Sequence, residues 1–276
     1  MKFLRSNFLF FFARVPGTGK TSLCRALAHK LAIRLSHRFK CGTLLEIHSH
    51  SLYSKWFSTS GKLVSALFSM VRDMVEDDPH SLVCVLIDEV ESLASSRNNS
   101  SGSDPSDAMR AVNSLLTSLD RLRSFPNVLV LATTNITGFI DAAFLDRVDL
   151  KLRIDLPILR ARYEILRSCV EELIRVGILV TPSRNAIGGI FADFATISEG
   201  DKLDFDNSND NENMVLLNCA RRAEGFSGRS LRRLPLQAHS QFICHRNLRI
   251  DEVSTLIFLR ALSQAIDSEQ KSSLGL

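Results

Sequence analysis

Apolar positions along the chain form two kinds of run. Continuous runs at residues 8–13 (FLFFFA), 82–87 (LVCVLI) and 127–135 (NVLVLATTN) have almost no polar interruption and close on small or polar residues. Runs of that kind suit parallel strands covered on both faces. Two shorter segments, 43–47 (TLLEI) and 150–156 (LKLRIDL), read as further strands. Between them apolar residues recur every three or four positions, the helical period. Leu23, Ala26, Leu27 and Leu31 share one face. So do Leu63, Val64, Leu67, Phe68, Val71 and Val75, and then Met109, Val112, Leu115, Leu116, Leu119 and Leu122. Strands alternating with helices predict an α/β fold, a parallel five-stranded sheet with right-handed crossovers.

After Pro157 the pattern becomes helical, with predicted helices in 161–177, 227–243 and 251–266. Residues 183–213 read as an irregular stretch whose end, GDKLDFDNSNDNEN, is acidic and Asn-rich and suits a flexible loop. This predicts a nucleotide-type α/β domain over 1–156 and a smaller helical domain over 157–276, with a polar insertion near 183–213.

Composition changes the picture little. The chain has 276 residues and a net charge of +4, which makes no strong case for a nucleic-acid partner. No apolar stretch approaches the ~20 residues of a membrane span. Six scattered cysteines form no zinc or redox spacing, which suits a reducing compartment. The opening MKFLRSNFLFFFA has the look of a short targeting segment, but its apolar run leads directly into a loop that needs a buried strand before it, so a strand is the reading adopted.

That loop is Pro16-Gly17-Thr18-Gly19-Lys20-Thr21-Ser22. Glycines let the backbone approach phosphate oxygens, and the N–H groups at the start of the next helix face the anion. Lys20 is placed to reach the β- and γ-phosphates, and the Thr21 hydroxyl to ligate Mg2+. The full pattern wants glycine six residues before the lysine, where this chain has Arg14. The 82–87 run ends in Asp88-Glu89, which puts two carboxylates at the sheet edge where a nucleotide sits. Asp88 would hold the metal and Glu89 would polarise the attacking water. Asn135, ending the 127–135 strand, can orient that water; a turn-forming Asn is the alternative. Arg147 and Arg229 are candidates for stabilising transition-state charge, the first across a subunit boundary and the second from the helical domain, or else ordinary surface arginines. Trp56-Phe57, on a loop after the second strand, suits a grip on polypeptide or a half-buried core pair. His48 and His50 have no third ligand nearby and read as strand-end polar residues.

The order of these motifs resembles the AAA+ ATPases. The wording HSLYSKWFSTSGKLV, LIDEVESLASSR, PSDAMRAVNSLLTSLD, ATTNIT, AFLDRVDLK and EGFSGRSLRRLP is similar to one branch, the pachytene checkpoint protein 2 homologs. The resemblance covers nearly all of the chain except its first dozen residues and about 181–213. It implies an AAA+ P-loop core with a helical lid, ATP and Mg2+, a homohexameric ring, and ATP-driven remodelling of HORMA-domain proteins, possible through an adaptor, in meiotic chromosome-axis and recombination control and the spindle checkpoint. It also implies a nuclear and cytoplasmic location, with chromosome association in meiosis. Trp56 and Phe57 would be the pore loop, Asn135 the first sensor, Arg147 the arginine finger and Arg229 the second sensor.

Three departures stand against it. Arg14 and Val15 occupy the family's glycine and proline positions, and IDLPI at 154–158 replaces a Gly-Pro-Pro hinge. The family's amino-terminal domain is not found, so the expectation is a truncated or mis-assigned start up to about Val15, with a short isoform as the alternative. The competing functions are a clamp-loader or helicase-loader motor on nucleic acid, and a nucleotide-binding scaffold with little turnover.

Overall fold

The computed structural model describes residues 9–13, 16–49, 60–91, 105–136, 142–180, 191–200, 211–243 and 253–273. Arg14, Val15, His50, Trp56 and Phe57 lie outside them. The chain divides into two compact units, Met1–Asp155 and Leu156–Leu276.

The first unit is a five-stranded, wholly parallel sheet in the order β2-β3-β4-β1-β5. Its strands are β1 (Leu9–Ala13), β2 (Cys41–His48), β3 (Ser81–Asp88), β4 (Val128–Thr134) and β5 (Leu150–Arg153). Its helices are α1 (Lys20–Arg34), α2 (Ser60–Asp77), α3 (Pro105–Leu122) and the single turn α4 (Ala142–Leu145). β4 is buried at every residue and β3 at all but its last. The continuous apolar runs arise because side chains alternate between two covered faces. Val83, Val85 and Ile87 join a core cluster with Val64, Phe68, Val71 and Val75 of α2 and Val112, Leu115 and Leu119 of α3. Leu82, Cys84 and Leu86 join the opposite cluster with Cys24 and Ala28 of α1.

α2 buries the face that its periodicity predicts, apart from Leu63, which is 40% exposed, and α3 buries Val112, Leu115, Leu116, Leu119 and Leu122; the side chain of Met109 lies outside the description. α1 does not. Leu23 is 42% exposed and Ala26 is exposed, while Cys24 and Ala28 are buried and Leu27 and Leu31 partly so. The reason is close approach. A Cβ on Gly42 of β2 would meet the Ala32 Cβ at 2.6 Å, so the helix lies against the sheet on its small residues. Arg25 and Glu46 fasten it there through two hydrogen bonds of 2.8 Å.

The second unit holds α5 (Leu159–Arg175), α6 (Phe194–Gly200), α7 (Glu212–Arg222), α8 (Gly228–Ala238), a π-helical turn (His239–Ile243) and α9 (Thr255–Ser273). Tyr163, Leu166 and Val170 meet Leu216, Leu217, Leu231, Leu234, Phe258 and Leu262 in its core. α6 and the start of α7 fall in or against the stretch read as irregular, which is a correction. Asn211 caps α7 by accepting from the Asn213 N–H, and Asn213 in turn accepts the Ala192 N–H at 3.0 Å. Polar residues there act as caps, which composition cannot tell from loop residues. The buried Arg162 donates to the carbonyls of Ala220 and Pro157 at 2.8 and 3.0 Å, placing its cation near the carboxyl end of α7.

Candidate functional site: a phosphate loop facing two carboxylates

β1 ends at Ala13 and α1 begins at Lys20, with residues 16–19 leading into the helix as a tight turn. Gly17 and Gly19 have φ of 84° and 92°, the left-handed backbone that side chains disfavour. Among the described residues nothing lies within 4 Å of where a Cβ on Gly19 would sit, so the glycine is required by its backbone conformation rather than by crowding. Gly19 is also the N-cap of α1, with no side-chain cap, and the amino end of a helix is a favourable place for an anion. Lys20, the first helical residue, is only 5% exposed. Pro16 and Ser22 are exposed and Thr18 is half-buried on the same turn.

β2, β3 and β4 end beside one another. His48 pairs with Asp88, and one step beyond the Ile87–Ala132 pair Asp88 lies level with Thr133. The Thr21 hydroxyl donates to Asp88 Oδ1 at 2.9 Å, and the buried Thr133 hydroxyl donates to the same oxygen. The phosphate loop and the carboxylate strand thus meet at one atom. Thr133 also accepts the Glu89 N–H at 3.2 Å, and its carbonyl accepts the Val90 N–H at 3.0 Å. Glu89 has φ of 59°, the one described non-glycine residue in the left-handed region. That backbone turns its carboxylate away from the strand, where it is exposed; Asn135 Nδ2 lies 3.5 Å from Glu89 Oε1. Asn135 is itself held by its backbone, whose N–H donates to Glu91 Oε1 at 2.9 Å. Beneath the loop, burial first and the Asp88 charge second push the Cys24 thiol up to about 12.

These residues fit a nucleotide triphosphate and Mg2+: left-handed glycines, a near-buried lysine, a hydroxyl and a carboxylate in direct contact, and a second carboxylate facing outward. His48 is the neighbour of Asp88 in the sheet, and no group of three metal-ligating side chains occurs among the described residues.

Arg147 belongs to the opposite edge. It follows α4, and two residues later Asp149 bonds the amino-terminal end of β1, its N–H to the Leu9 carbonyl and its Oδ2 to the Leu9 N–H. The phosphate loop leaves the other end of β1, about 13 Å away at 3.3 Å per residue. Arg147 grips Asp120 of α3 in a two-pronged pair, both contacts at 2.9 Å, and donates to the Ala143 carbonyl at 2.7 Å. The pair holds the Asp120 carboxyl below its usual range. Arg229 is exposed in the first turn of α8, where Ser227 caps the helix by accepting from Ser230 N–H.

Sequence reasoning did not single out Thr133, Glu91 or Asp120. Thr133 was findable from register, since parallel pairing of the two apolar runs sets it beside Asp88. Asp120 reads as an ordinary polar position of an amphipathic helix.

The family model for the ATPase family associated with various cellular activities matches residues 11–156, and the model for the TRIP13-like AAA+ ATPase lid C-terminal domain matches 158–270. The chain belongs to the AAA ATPase family, in its pachytene checkpoint protein 2 homolog branch. It is 52% identical over 231 residues to the pachytene checkpoint protein 2 homolog of Arabidopsis thaliana, covering 82% of this chain and 49% of that one. With the homolog of Homo sapiens it shares 46% over 256 residues, 92% of this chain and 56% of the other. The chain therefore spans about half the length of the curated relatives it matches. The solved structure of C. elegans PCH-2 superposes with a TM-score of 0.75 at 34% identity, covering 98% of this chain and 63% of that one. The FIGL-1 AAA domain with ADP, at 23% identity and a TM-score of 0.60, shares the fold.

Proposed function

We propose that the chain is the motor part of an ATP-driven remodeller of HORMA-domain proteins, working as a homohexameric ring in meiotic recombination and chromosome-axis control and in the spindle checkpoint, in nucleus and cytoplasm. The observation that carries the ATPase half is the single oxygen of Asp88 that both Thr21 and Thr133 address, beside the outward Glu89 and Asn135. The remodelling half rests on likeness to the pachytene checkpoint protein 2 homologs and on the SKWFS segment with Trp56 and Phe57.

In this reading the N–H groups of residues 17–21 and the Lys20 ammonium bind the β- and γ-phosphates. Thr21 and Asp88 would hold Mg2+, which would supply positive charge to offset that of the phosphates. Glu89 accepts a proton from the attacking water, and Asn135 orients that water. Arg147, at the far edge of the sheet, serves a neighbouring subunit's nucleotide, and Arg229 answers to nucleotide from the lid. Trp56 and Phe57 pull on the polypeptide. Arg14 and Val15 leave binding intact, because the main phosphate contacts come from residues 17–21.

The test pairs two assays. Phosphate release from ATP with Mg2+ checks the motor, and conversion of a folded HORMA-domain protein between its conformers checks the coupling. Conversion that needs ATP and disappears in Trp56→Ala supports the proposal. Turnover without conversion, even when the chain is joined to the amino-terminal part of a relative and an adaptor is added, refutes the substrate assignment. Binding without turnover would leave a nucleotide-dependent scaffold.

A further inference from the structure

Glu91 has no part in the chemistry described so far. It lies two residues past Glu89 and is only 8% exposed. One oxygen, Oε1, accepts the Asn135 backbone N–H at 2.9 Å. The other, Oε2, is buried with no hydrogen-bond partner. Burying a carboxylate with half its acceptor capacity unused is costly, and a hydrophobic residue of similar size would avoid that cost. The bond it does make joins two chain segments that share the reaction. On one side is the turn after β3, with Glu89 in its left-handed conformation. On the other is the end of β4, where Asn135 presents Nδ2 to Glu89.

Thr133 ties the same two segments from below, through the Glu89 and Val90 N–H groups. Those two bonds fix the turn against β4 but do not reach Asn135, which lies beyond the last strand residue. Asn135 is half-buried, and the next residue, Ile136, is exposed. The Thr134 hydroxyl also brackets Asn135, donating to the Ile136 carbonyl at 3.0 Å and accepting the Ile136 N–H at 3.2 Å, but that turn is local to the end of β4, and the Glu91 contact is what joins the Asn135 backbone to the β3 side.

We infer that Glu91 is a positioning residue for ATP hydrolysis: its carboxylate clamps the Asn135 backbone to the turn after β3 and so sets the Glu89–Asn135 geometry on which the attacking water depends. A reaction that needs a near-attack arrangement is sensitive to misplacement of about 1 Å. The inference rests on the ATPase reading above, and its test separates the two.

The comparison is Glu91→Gln against Glu91→Met. Both fill the same buried space; the amide oxygen of Gln still accepts the Asn135 N–H, and Met cannot. Wild-type and variant chains are first followed by amide hydrogen exchange of the peptide covering residues 134–136. Exchange there should quicken in Glu91→Met and stay slow in Glu91→Gln. Steady-state ATPase should then show kcat falling about tenfold in Glu91→Met with KM for ATP unchanged, and Glu91→Gln close to wild type. In a Glu89→Gln background, adding Glu91→Met should change the residual rate little, because the clamp acts through Glu89 and Asn135. Three results would overturn the inference: equal exchange in the two variants, a KM effect in place of a kcat effect, or full additivity with Glu89→Gln. If the wild-type chain binds ATP and never turns over, the hydrolysis reading fails, and the exchange difference alone decides whether the clamp exists.

Discussion

Asp88 and Glu89 are neighbours with opposite surroundings. Asp88 ends β3 under two threonine hydroxyls, whereas Glu89 leaves the strand in a left-handed turn and faces outward. The first suits a fixed metal-side ligand, the second a base that must meet water. Glu89→Gln should therefore keep its affinity for ATP and lose turnover by about 10²–10⁴-fold, read by nucleotide titration beside phosphate release. Normal turnover would remove Glu89 from its role. Thr133→Val preserves shape but strips a donor from Asp88 and an acceptor from the Glu89 N–H. We expect a stability loss of about 1–3 kcal/mol in the denaturant midpoint. The turnover loss should exceed the fraction unfolded; a rate at the wild-type level would show that Thr133 only packs.

At the scale of elements, α1 and α2 make a contrast. α2 rests on large residues, Val64, Phe68, Val71 and Val75, as its period of apolar positions dictates. α1 rests on Cys24 and Ala28, because the phosphate loop and Gly42 bring it close to the sheet. Its cysteine is sealed by that contact. Burial pushes the thiols of Cys24 and Cys219 up to about 12 and that of Cys84 up to about 11, while Cys41 is exposed at the start of β2. A thiol reagent at pH 8 should label Cys41 in the native chain and reach Cys24, Cys84 and Cys219 only on unfolding, a pattern that peptide mass spectrometry can read. Rapid native labelling of Cys24 would mean that α1 lifts from the sheet far more easily than its packing implies.

At the scale of the molecule, the chain has two units with separate cores, and Arg147 stands near the end of β1 opposite the phosphate loop. Leu231 is fully buried among α5, α7 and α9 of the second unit. Leu231→Ala should cost about 2–5 kcal/mol in the unfolding of that unit. Hydrogen exchange should show the loss in residues 159–273 and leave β3 and β4 protected; equal loosening of the sheet would show that the units unfold together. Arg147 sits at the strand-start edge, held by Asp120. If it serves a neighbour, Arg147→Ala mixed with Lys20→Ala subunits should recover part of the turnover that each lacks alone, since the two defects then fall at different interfaces. Strict loss in every mixture would place its effect within its own subunit.

The strands, the phosphate loop and the pair Asp88-Glu89 were legible in the sequence, because each is written in a few consecutive residues whose backbone or period leaves little choice. Left-handed glycines, an apolar run ending in carboxylates and a helix of regular apolar period carry their structure locally. Three things were decided only by the tertiary structure. Which face of α1 is buried depended on how close Gly42 lets it come. α6 and α7 were hidden because polar residues such as Asn211 and Asn213 cap helices as readily as they make loops, and only the cores they join distinguish the two. Thr133 and Glu91 entered the site because parallel register sets β4 beside β3, bringing together residues 45 positions apart in the case of Asp88 and Thr133. Periodicity reports which face of an element is apolar. It cannot report which hydroxyl from another strand will share an oxygen with it, since that is fixed by pairing between distant segments.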